Sequence, residues 1–478
     1  MYRSIVAMAL IAMIASYFRI QAASVACEAG ELSTCVEDLD ITELSVSGTI
    51  DVRDFKFINE ELHNLVSINL GNAFVAGYEC SADECYFGKS GEFPAGELPG
   101  MCFFGKRYSS VVLPEGLKSI GEYSMAGCDK LHSIIIPSTV TEINEHAFNG
   151  SGIEELHLSG NLEMIGKGAF AGCRSLQVVD IGETSDCVIE DDAFARCVAL
   201  EQVTMGGNVV SIGNGAFKGC NSLKTLKVED GSGLAMIGDE AFMDTQLTET
   251  PFAGCSQLLR VGSWAFANAS LNELSLPSCM SNVPEGVFFG NNESSTMIIP
   301  DNATNIDKFA FYGCSAINSF SIPNGMACIG DNAFESMSGL DKIVSYAKTV
   351  PELGSDVFYG INQPAVRLYV NDGLVNDYNL AEQWNLFEIM GLSNVSMTSA
   401  DVVACDVRAY FDGDMLEITA DTEMIRVTVV DISGIVVADV HLFDCQANVV
   451  VPNRNPSIFA ARIELSNGVS HTMKLIKR

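Results

Sequence analysis

A phenylalanine recurs about every 23 residues through two-thirds of this chain, and Met125 fills the one slot where it is missing. The twelve anchor positions are Phe103, Met125, Phe148, Phe170, Phe194, Phe217, Phe242, Phe266, Phe288, Phe311, Phe334 and Phe358. A fixed period of this length is the signature of a solenoid, in which each repeat forms one coil. A single coil cannot bury its own apolar side, so coils must stack to be stable. The period therefore predicts a stacked array, an architecture that usually serves as a binding surface.

The residues around each anchor also repeat. An aliphatic residue stands five positions before it, glycine often four before and alanine usually one before, as in Ile165, Gly166 and Ala169. A short alternating apolar run follows, such as LHSIIIP, which ends at Pro137. Such a run predicts a strand, and proline ends it because proline cannot donate to a ladder. We expect Gly166 to permit a turn and Ala169 to permit close approach of neighbouring coils.

The repeated segments IGKGAFAGC, IGNGAFKGC and IDKFAFYGC resemble the BspA-type leucine-rich repeat of bacterial surface proteins. The resemblance covers roughly residues 42–390 and includes a terminator, LYVNDGLVNDYNLAEQWNLFEI. It implies a mostly β solenoid of the α+β class with about twelve coils, which we place at residues 101–392. Two departures, an inserted half-unit from Thr250 to Cys255 and Val283-Pro284 in place of Ile-Gly, predict local irregularity.

The N-terminus is typical of an export signal. Arg3 supplies the positive charge, an apolar run of 14 residues extends from Ile5 to Phe18, and small residues precede Cys27. A run of this length is too short for a comfortable membrane span. We expect residues 1–26 to be removed and the mature chain to be secreted or held on the outer cell surface. A cysteine directly after the cut is also a candidate for lipid anchoring, so a lipid at Cys27 stays open as an alternative.

Residues 27–100 predict a cap over the open end of the solenoid. Thr42 to Ile50 alternates as a strand, and Phe55 and Ile58 begin a helical apolar spacing that Asp51 or Asp54 can cap. A second strand is predicted from Leu65 to Leu70. Such a strand, helix and strand also open the proteins that the repeats resemble.

The repeat stops before the last 75–80 residues, where short β-rich runs are broken by Gly and Pro. Residues 400–478 therefore predict a small antiparallel β-sandwich. VTVVDISGIVVADV and the ending IFAARIELSNGVSHTMKLIKR resemble the C-terminal sorting domain of type IX secretion. The Gly-x-Tyr that this family usually has is missing near Ser457, Ile458 and Phe459. A plain immunoglobulin-like module is the alternative, since that sandwich is widely reused.

The chain has sixteen cysteines, which could form disulfides or stay reduced. Five share one register position in the repeats: Cys128, Cys173, Cys197, Cys220 and Cys314. Their Cβ vectors would run parallel, which is poor disulfide geometry, so we expect reduced cysteines that pack as small apolar side chains. Cys80 and Cys85, with Cys102 nearby, form a better disulfide candidate in an exported protein.

The search for catalytic, metal and cofactor motifs is negative. Six histidines, with no HExxH, GxSxG, Walker loop or Cys-x2-Cys spacing, predict a protein that is not an enzyme and binds no cofactor or metal. We expect the acidic cluster Glu190, Asp191 and Asp192 to be a solvated turn, with a calcium site as the lesser alternative. The formal net charge of −34 disfavours nucleic acid and anionic membranes as partners.

The outward positions of the predicted strands form one polar strip on neighbouring coils. The candidate ligand-binding residues on it are Glu155, His157, Asp180, Gln202, Thr204 and Lys227. The strip has few of the Trp, Tyr and Arg anchors of tight interfaces, so we expect weak, multivalent contact with a host extracellular protein or glycan. A structural component of the cell envelope without a dedicated ligand is the main alternative, and ordinary solvated sheet would look similar. Surface aromatics clustered on one face would favour the binding interpretation.

Overall fold

The structure is a computed structural model that describes residues 21–81, 91–182, 184–229, 232–251, 255, 257–394, 408–412, 415–431, 436–450, 458–465 and 470–476. The chain divides into two compact units, residues 1–392 and 393–478. Most of the predicted export signal, Cys85, and part of the Thr250 to Cys255 insertion lie outside the described residues, as do Ser457 and the first residues of the predicted C-terminal domain.

The first unit is built almost entirely of short strands. Its strands are β1 (Ala22–Cys27), β2 (Glu43–Ile50), β3 (Ser67–Val75), β4 (Tyr78–Cys80), β5 (Gly91–Phe93), β6 (Glu97–Leu98), β7 (Ser110–Val112), β8 (Ser119–Ile120), β9 (Glu142–Ile143), β10 (Glu155–Leu158), β11 (Met164–Ile165), β12 (Val178–Ile181), β13 (Cys187–Ile189), β14 (Gln202–Met205), β15 (Val209–Ile212), β16 (Thr225–Val228), β17 (Met236–Ile237), β18 (Arg260–Val261), β19 (Glu273–Ser275), β20 (Asn282–Val283), β21 (Thr296–Ile298), β22 (Asn305–Ile306), β23 (Ser319–Ile322), β24 (Cys328–Ile329), β25 (Lys342–Ser345), β26 (Glu352–Leu353), β27 (Arg367–Val370) and β28 (Glu388–Gly391). Its helices are α1 (Leu32–Cys35), α2 (Val52–Glu61) and α3 (Val375–Leu380), with 3-10 turns at Gln363–Ala365, Asp372–Leu374, Trp384–Leu386 and Leu392–Asn394.

Most coils contribute one short strand before the anchor and one longer strand after it, and the coils of Met125 and Phe242 lack the longer strand. The short strands pair in parallel in the order β6-β8-β9-β11-β13-β15-β17-β18, and the longer strands β10-β12-β14-β16 form a second parallel sheet. The stack has about 15 turns, because strands of the cap and the terminator extend it beyond the twelve anchored coils. The predicted mostly β solenoid is confirmed.

The anchors form one buried column. All twelve anchor side chains are at most 1 % exposed. The rings of Phe170 and Phe194 stack with centroids 5.3 Å apart, and those of Phe194 and Phe217 lie 5.1 Å apart. Both ring pairs are parallel to within 4°. The predicted burial of these three rings in one column is therefore confirmed.

The anchored turn carries two residues in the left-handed backbone region in every coil. They lie two positions before and two after each anchor, and they are Met101, Gly105, Tyr123, Gly127, His146, Gly150, Gly168, Gly172, Asp192, Arg196, Gly215, Gly219, Glu240, Asp244, Trp264, Asn268, Gly286, Gly290, Phe309, Gly313, Asn332, Ser336, Asp356 and Gly360. The N–H groups of these two residues and of the anchor between them point at the next coil. In one coil Gly168, Phe170 and Gly172 donate to Asp191, Ala193 and Ala195, at 2.8–2.9 Å. We call this ladder of turns the turn edge.

The role predicted for Gly166 was wrong in one respect. Its φ is not in the left-handed region, which is occupied by Gly168 instead. A Cβ on Gly166 would lie 2.7 Å from the carbonyl oxygen of Ile143 in the preceding coil. At Gly166 the glycine therefore serves the close approach of two backbones and not a left-handed turn.

The predicted strand, helix and strand are present as β2, α2 and β3, and β1, which begins inside the predicted export signal, pairs in parallel with β2. Asp51 is the N-cap of α2 and shares a reciprocal capping box with Asp54. The carboxylate of Asp54 also accepts hydrogen bonds from the backbone N–H groups of Gly30 at 2.7 Å and Leu32 at 2.9 Å. One buried side chain therefore ties α2 to the segment that leads into α1.

Both solenoid sheets are interrupted near the two predicted irregularities. The short-strand sheet ends at β18 and restarts at β20, and the long-strand sheet ends at β16 and restarts as the pair β19-β21. In ten of the twelve coils the N–H four positions before the anchor donates to the preceding coil, as from Gly262 to the oxygen of Ile237. Pro284 occupies this position and has no N–H, so Val261 loses its ladder partner. The rings of Phe266 and Phe288 lie 6.2 Å apart here, the widest spacing between successive rings from Phe148 to Phe358.

The terminator closes the far end of the array. Trp384 is 1 % exposed and lies 5.1 Å from the ring of Phe358, and its Nε1 donates to the oxygen of Pro351 at 3.0 Å. Tyr378 is buried and its hydroxyl pairs with that of Ser345 at 2.8 Å. These aromatic side chains cover the last anchor.

The second unit is an antiparallel sheet of β29 (Arg408–Asp412), β30 (Met415–Asp431), β31 (Val436–Val450), β32 (Ile458–Leu465) and β33 (Ser470–Ile476). The first half of β30 pairs with β29 and the second half with β32, while β31 follows it along both halves. The register of the β30-β31 pair shifts between Thr419 and Met424, where the two halves meet. The predicted antiparallel strands are confirmed, and their packing as a β-sandwich stays a prediction.

Candidate functional site

The predicted strip lies on the outer side of four in-register strands. The pairs Glu155↔Val178↔Gln202↔Thr225 make one row and His157↔Asp180↔Thr204↔Lys227 the next. Between the rows the alternating positions Leu156, Val179 and Val203 point into the core and are fully buried. We call these two rows the strand-face strip. All six predicted site residues belong to it: Glu155, His157, Asp180, Gln202, Thr204 and Lys227.

Along the strip the negative and positive groups lie at opposite ends. The carboxylates of Glu155 and Asp180 belong to the first two strands, and Lys227 belongs to the last. Nδ1 of His157 lies 3.6 Å from a carboxylate oxygen of Asp180, and its Nε2 lies 3.9 Å from one of Glu155. Gln202 donates to the hydroxyl of Thr204 at 3.5 Å, and exposed Lys227 ends the row. The side chains of His157 and Glu155 are 66 % and 69 % exposed. Ion pairs this exposed contribute little to stability, about 0–1 kcal/mol, so the groups remain available to a partner.

The strip is shorter than the sequence indicates. The same alternation in the sequence would extend the strip to Ser133 and Ile135, which lie in a segment without strand pairing, and to Glu273, which lies on the separate pair β19-β21. Ile135 is 86 % exposed and extends the same side of the array with an apolar group. The continuous polar surface therefore spans four coils and not the whole stack.

The turn edge carries large aromatic side chains that the sequence reasoning missed. The ring of Trp264 lies 5.2 Å from that of Phe289 and 6.1 Å from that of Phe309. Phe289 stacks on Tyr312 at 4.7 Å. All four are half-buried. A Cβ on Gly286 would lie 2.4 Å from the Trp264 ring, so the glycine makes room for it. Because this cluster spans the junction at Pro284, it packs neighbouring coils together where the short-strand sheet is interrupted.

The repeat cysteines have a role beyond filling space. Each is fully buried with a free thiol, and its Sγ lies 3.1–3.3 Å from the backbone oxygen of the preceding anchor. Asn291 occupies the same position in its coil and donates to Phe266 at 2.8 Å. Six coils thus place a buried donor at this position, and the presence of Asn291 in the register was the sequence signal. Burial raises the pKa of Cys128 and Cys314 to about 12, which keeps these thiols unreactive.

The acidic turn Glu190 to Asp192 is structural. Asp191 accepts a hydrogen bond from the backbone N–H of Asn214 at 2.7 Å, and Glu190 accepts one from Lys167 at 2.9 Å. Asp192 is one of the left-handed residues. Among the described residues, no group of three or more His, Cys, Asp or Glu side chains is placed to hold a metal ion.

The cap and terminator contain the remaining candidate groups. Cys80 is disulfide-bonded, Cys102 has a free buried thiol, and Cys85 lies outside the described residues, so the Cys80–Cys85 pairing stays a prediction. A cavity of about 990 Å³ opens beside the terminator. Its lining includes the carboxylates of Asp331, Asp356 and Glu382, which disfavour an anionic ligand.

Comparisons with known proteins identify the repeats. The BspA type Leucine rich repeat region matches residues 97–224, 187–257 and 235–364 in six copies, together more than half of the chain. The chain belongs to this family of leucine-rich repeat proteins. No curated protein matches it.

Solved structures resemble the chain at low identity. A leucine-rich repeat protein from Bacteroides ovatus is 20 % identical over 74 % of this chain and 84 % of its own, with a TM-score of 0.46. The pneumococcal vaccine antigen PcpA is 16 % identical over 73 % and 79 %, with a TM-score of 0.37. A leucine-rich cell surface protein from Faecalibacterium prausnitzii is 18 % identical over 63 % and 88 %, with a TM-score of 0.31.

Proteins of the BspA-like family are typically found on the cell surface or secreted. In the part of the chain that the structure describes, no helix combines the length and apolar character of a membrane span.

Proposed function

We propose that this protein is an exported, non-enzymatic binding protein that contacts a host extracellular protein or glycan through the strand-face strip. The observation that supports this is the in-register placement of six exposed or half-exposed polar side chains on four consecutive strands. The strip is an open surface without walls. It can present hydrogen-bonding groups to a large partner, and it has no means of excluding water from a reaction.

One copy of the protein binds its partner weakly, and many copies on one surface bind it strongly. The strip has His, Gln, Thr and carboxylate groups but none of the Trp, Tyr or Arg anchors that concentrate binding energy. Several copies on one surface would raise the effective concentration of each further contact. The partner is a repetitive or abundant molecule, because only such a molecule engages many copies at once.

The net charge of −34 restricts the class of partner. It opposes approach to nucleic acids and anionic membranes, whose recognition needs clustered Lys and Arg. The acidic end of the strip, formed by Glu155 and Asp180, favours a partner that presents cationic or hydrogen-bond-donating groups.

The test is a combined substitution of Glu155, His157, Asp180 and Thr204 by Ala, assayed for binding to host extracellular proteins and glycans displayed on a surface. The matched control is Glu142→Ala with Glu163→Ala. It also removes two negative charges, but from exposed positions by the short-strand sheet. We expect the first variant to lose at least tenfold in surface binding and the control to bind normally. Unchanged binding by the folded fourfold variant would move the site off the strip, towards the turn edge or the cap.

Export is the second part of the proposal. We propose that the second unit acts as a type IX sorting domain, on the strength of the sequence resemblance and its separation from the repeats as a compact unit. A lipid on Cys27 is the alternative route to a surface anchor.

A further inference from the structure

The turn edge stops at the last anchor with unpaired donors. In the coil before it, the three N–H groups of the turn edge donate to carbonyl oxygens of the last coil at 2.8–3.1 Å. The corresponding donors of the last coil belong to Asp356, Phe358 and Gly360, and Asp356 and Gly360 keep the left-handed conformation. Within the part of the chain that the structure describes, none of these three N–H groups forms a hydrogen bond. A row of unpaired N–H groups is a template for a further chain.

The terminator closes the core but not the turn edge. Trp384 packs against the ring of Phe358, with 5.1 Å between the centroids. Gln383 reaches the last turn, where its Oε1 accepts from the N–H of Val357 at 2.9 Å and its Nε2 donates to the oxygen of Gly354 at 2.7 Å. Val357 lies between two of the unpaired donors, so this side chain leaves both of them open. The apolar core is thus covered while the ladder stays incomplete.

The cavity of about 990 Å³ lies at this open end of the ladder, since Asp356 and Phe358 are part of its lining. We call it the terminal cavity. Tyr359 and Leu386 add exposed apolar surface to it. No Lys, Arg or His side chain is among its lining residues, all of which the structure describes. Its exposed carboxylates are Asp331, Glu352, Asp356 and Glu382.

The donors and the carboxylates together restrict the ligand. An anion would pair with the N–H groups, but the carboxylates repel it, and a polyamine would pair with the carboxylates but has no acceptor for the N–H groups. At the other junctions the acceptors are carbonyl oxygens of alternate residues, as in Asp191, Ala193 and Ala195. A peptide chain repeats its carbonyl groups at this spacing, and Lys or Arg side chains supply positive charge. A basic peptide therefore meets both requirements.

We propose that the terminal cavity binds a basic peptide segment of a partner protein, which continues the turn edge by one further row of hydrogen bonds. Carbonyl oxygens of alternate peptide residues accept from Asp356, Phe358 and Gly360. Lys or Arg side chains of the peptide pair with Glu352 and Glu382. The formal net charge of −34 speeds the approach of such a partner. The site belongs to the last coil and the terminator, and it does not depend on the partner of the strand-face strip.

The first measurement needs no ligand. Hydrogen exchange of the purified full chain, resolved to single amides by mass spectrometry with electron-transfer fragmentation, compares the last two coils. The amides of Asp356 and Gly360 should exchange at least tenfold faster than those of Asn332 and Ser336, which occupy the same positions one coil earlier and are hydrogen-bonded. Equal protection would mean that the last turn already has acceptors, and it would overturn the proposal.

The second measurement uses a pool of short acetylated and amidated peptides in which Lys or Arg alternates with varied residues. We expect members of this pool to bind the purified full chain and to slow exchange at Asp356, Phe358 and Gly360. Spermine, which lacks carbonyl groups, and a matching pool with Glu in place of Lys and Arg should leave exchange unchanged. The proposal fails if spermine slows exchange equally, or if no basic peptide slows it.

Two cavity variants locate the site. Glu352→Gln with Glu382→Gln should weaken binding of the basic peptides about tenfold. Ala381→Arg should abolish it, because the new guanidinium fills the cavity and pairs with the carboxylates. The control is Glu142→Gln with Glu163→Gln, which removes the same charge from exposed positions in early coils and should bind as the wild type does. Wild-type binding by both cavity variants would overturn the proposal.

The strip variant separates this site from the proposed function. The fourfold alanine variant of the strand-face strip should bind the basic peptides normally, and the cavity variants should bind the strip's partner normally. Loss of peptide binding in the strip variant alone would place the basic peptide on the strip and overturn the assignment to the terminal cavity.

Discussion

Single side chains maintain the register of this solenoid by repeating the same contact in many of its coils. The anchor ring meets the ring above and the ring below, and the thiol or amide three positions later satisfies the preceding anchor's carbonyl. A change at either position therefore affects two junctions at once. Stability at the residue scale is a property of neighbouring coils and not of one coil.

Phe194→Ala should destabilise the array by about 3–5 kcal/mol, because it removes a fully buried ring that stacks on two others. Phe194→Leu should cost about half as much, since Leu fills most of the space. Urea unfolding followed by circular dichroism measures both. A loss under about 1 kcal/mol for the alanine variant would mean that the ring is not part of a tightly packed core.

The buried thiols should make the array sensitive to alkali. The pKa of Cys128, Cys187 and Cys314 is raised from 9.0 to about 12 by burial. Between pH 9 and pH 12 the unfolded chain loses these protons while the folded chain keeps them. Stability is therefore fully present below pH 9 and falls above it, by about 1.4 kcal/mol per pH unit for each thiol.

Urea midpoints compared at pH 8 and pH 10.5 check this sign. Replacing Cys128 and Cys314 by Ala should lower stability at pH 8 but flatten its fall with pH. Cys279→Ala serves as the control, because that thiol is exposed in the folded chain. If the stability of the double variant falls with pH as steeply as that of the wild type, groups other than Cys128 and Cys314 cause the loss of stability in alkali.

At the scale of elements, the cap depends on helix α2 and its first turn. Asp54 is 1 % exposed and accepts from three backbone N–H groups, those of Gly30, Leu32 and Asp51. Its pKa is raised by burial in spite of these bonds. One carboxylate thus organises both the start of α2 and the loop before α1.

Asp54→Ala should destabilise the cap by about 2–4 kcal/mol, because it leaves buried N–H groups without an acceptor. Hydrogen exchange should show early opening of residues 30–61 while residues 142–237 keep their protection. Glu60→Ala, an exposed change near the other end of α2, is the control. Uniform loss of protection along the whole array would show that the cap and the coils unfold as one unit.

The sequence reveals those parts of the fold that recur. Ring spacing identifies the anchors, and the motif around Asp51 and Asp54 identifies the start of α2, because period and capping are local signals. The alternating pattern also places the six strip residues outward. The left-handed positions were missed because Trp264 and Phe309 occupy two of them, and bulky residues seldom adopt positive φ. The aromatic cluster was missed because its members come from three coils, and only stacking brings them together.

At the scale of the molecule, the chain forms two compact units. If the second unit is a sorting domain, deleting residues 400–478 should trap the protein inside the outer membrane while the solenoid stays folded. Cell fractionation with surface protease digestion measures the location, and circular dichroism of the purified product measures the fold. Normal surface delivery of the truncated chain would refute the sorting role.

The junction at Pro284 has a mechanical consequence. If the protein is anchored to a surface and bound to a partner, tension acts along the array. The hydrogen bonds between neighbouring coils then resist this tension. Across most junctions that load is shared between the sheets and the turn edge. At Pro284 the short-strand sheet is missing, and the turn edge continues through the bonds from Trp264, Phe266 and Asn268 to the next coil, at 2.7–3.0 Å. Under tension the array should part at Pro284 or at another interruption of its sheets before it parts within the four coils of the strip, whose strands β10, β12, β14 and β16 pair without a break.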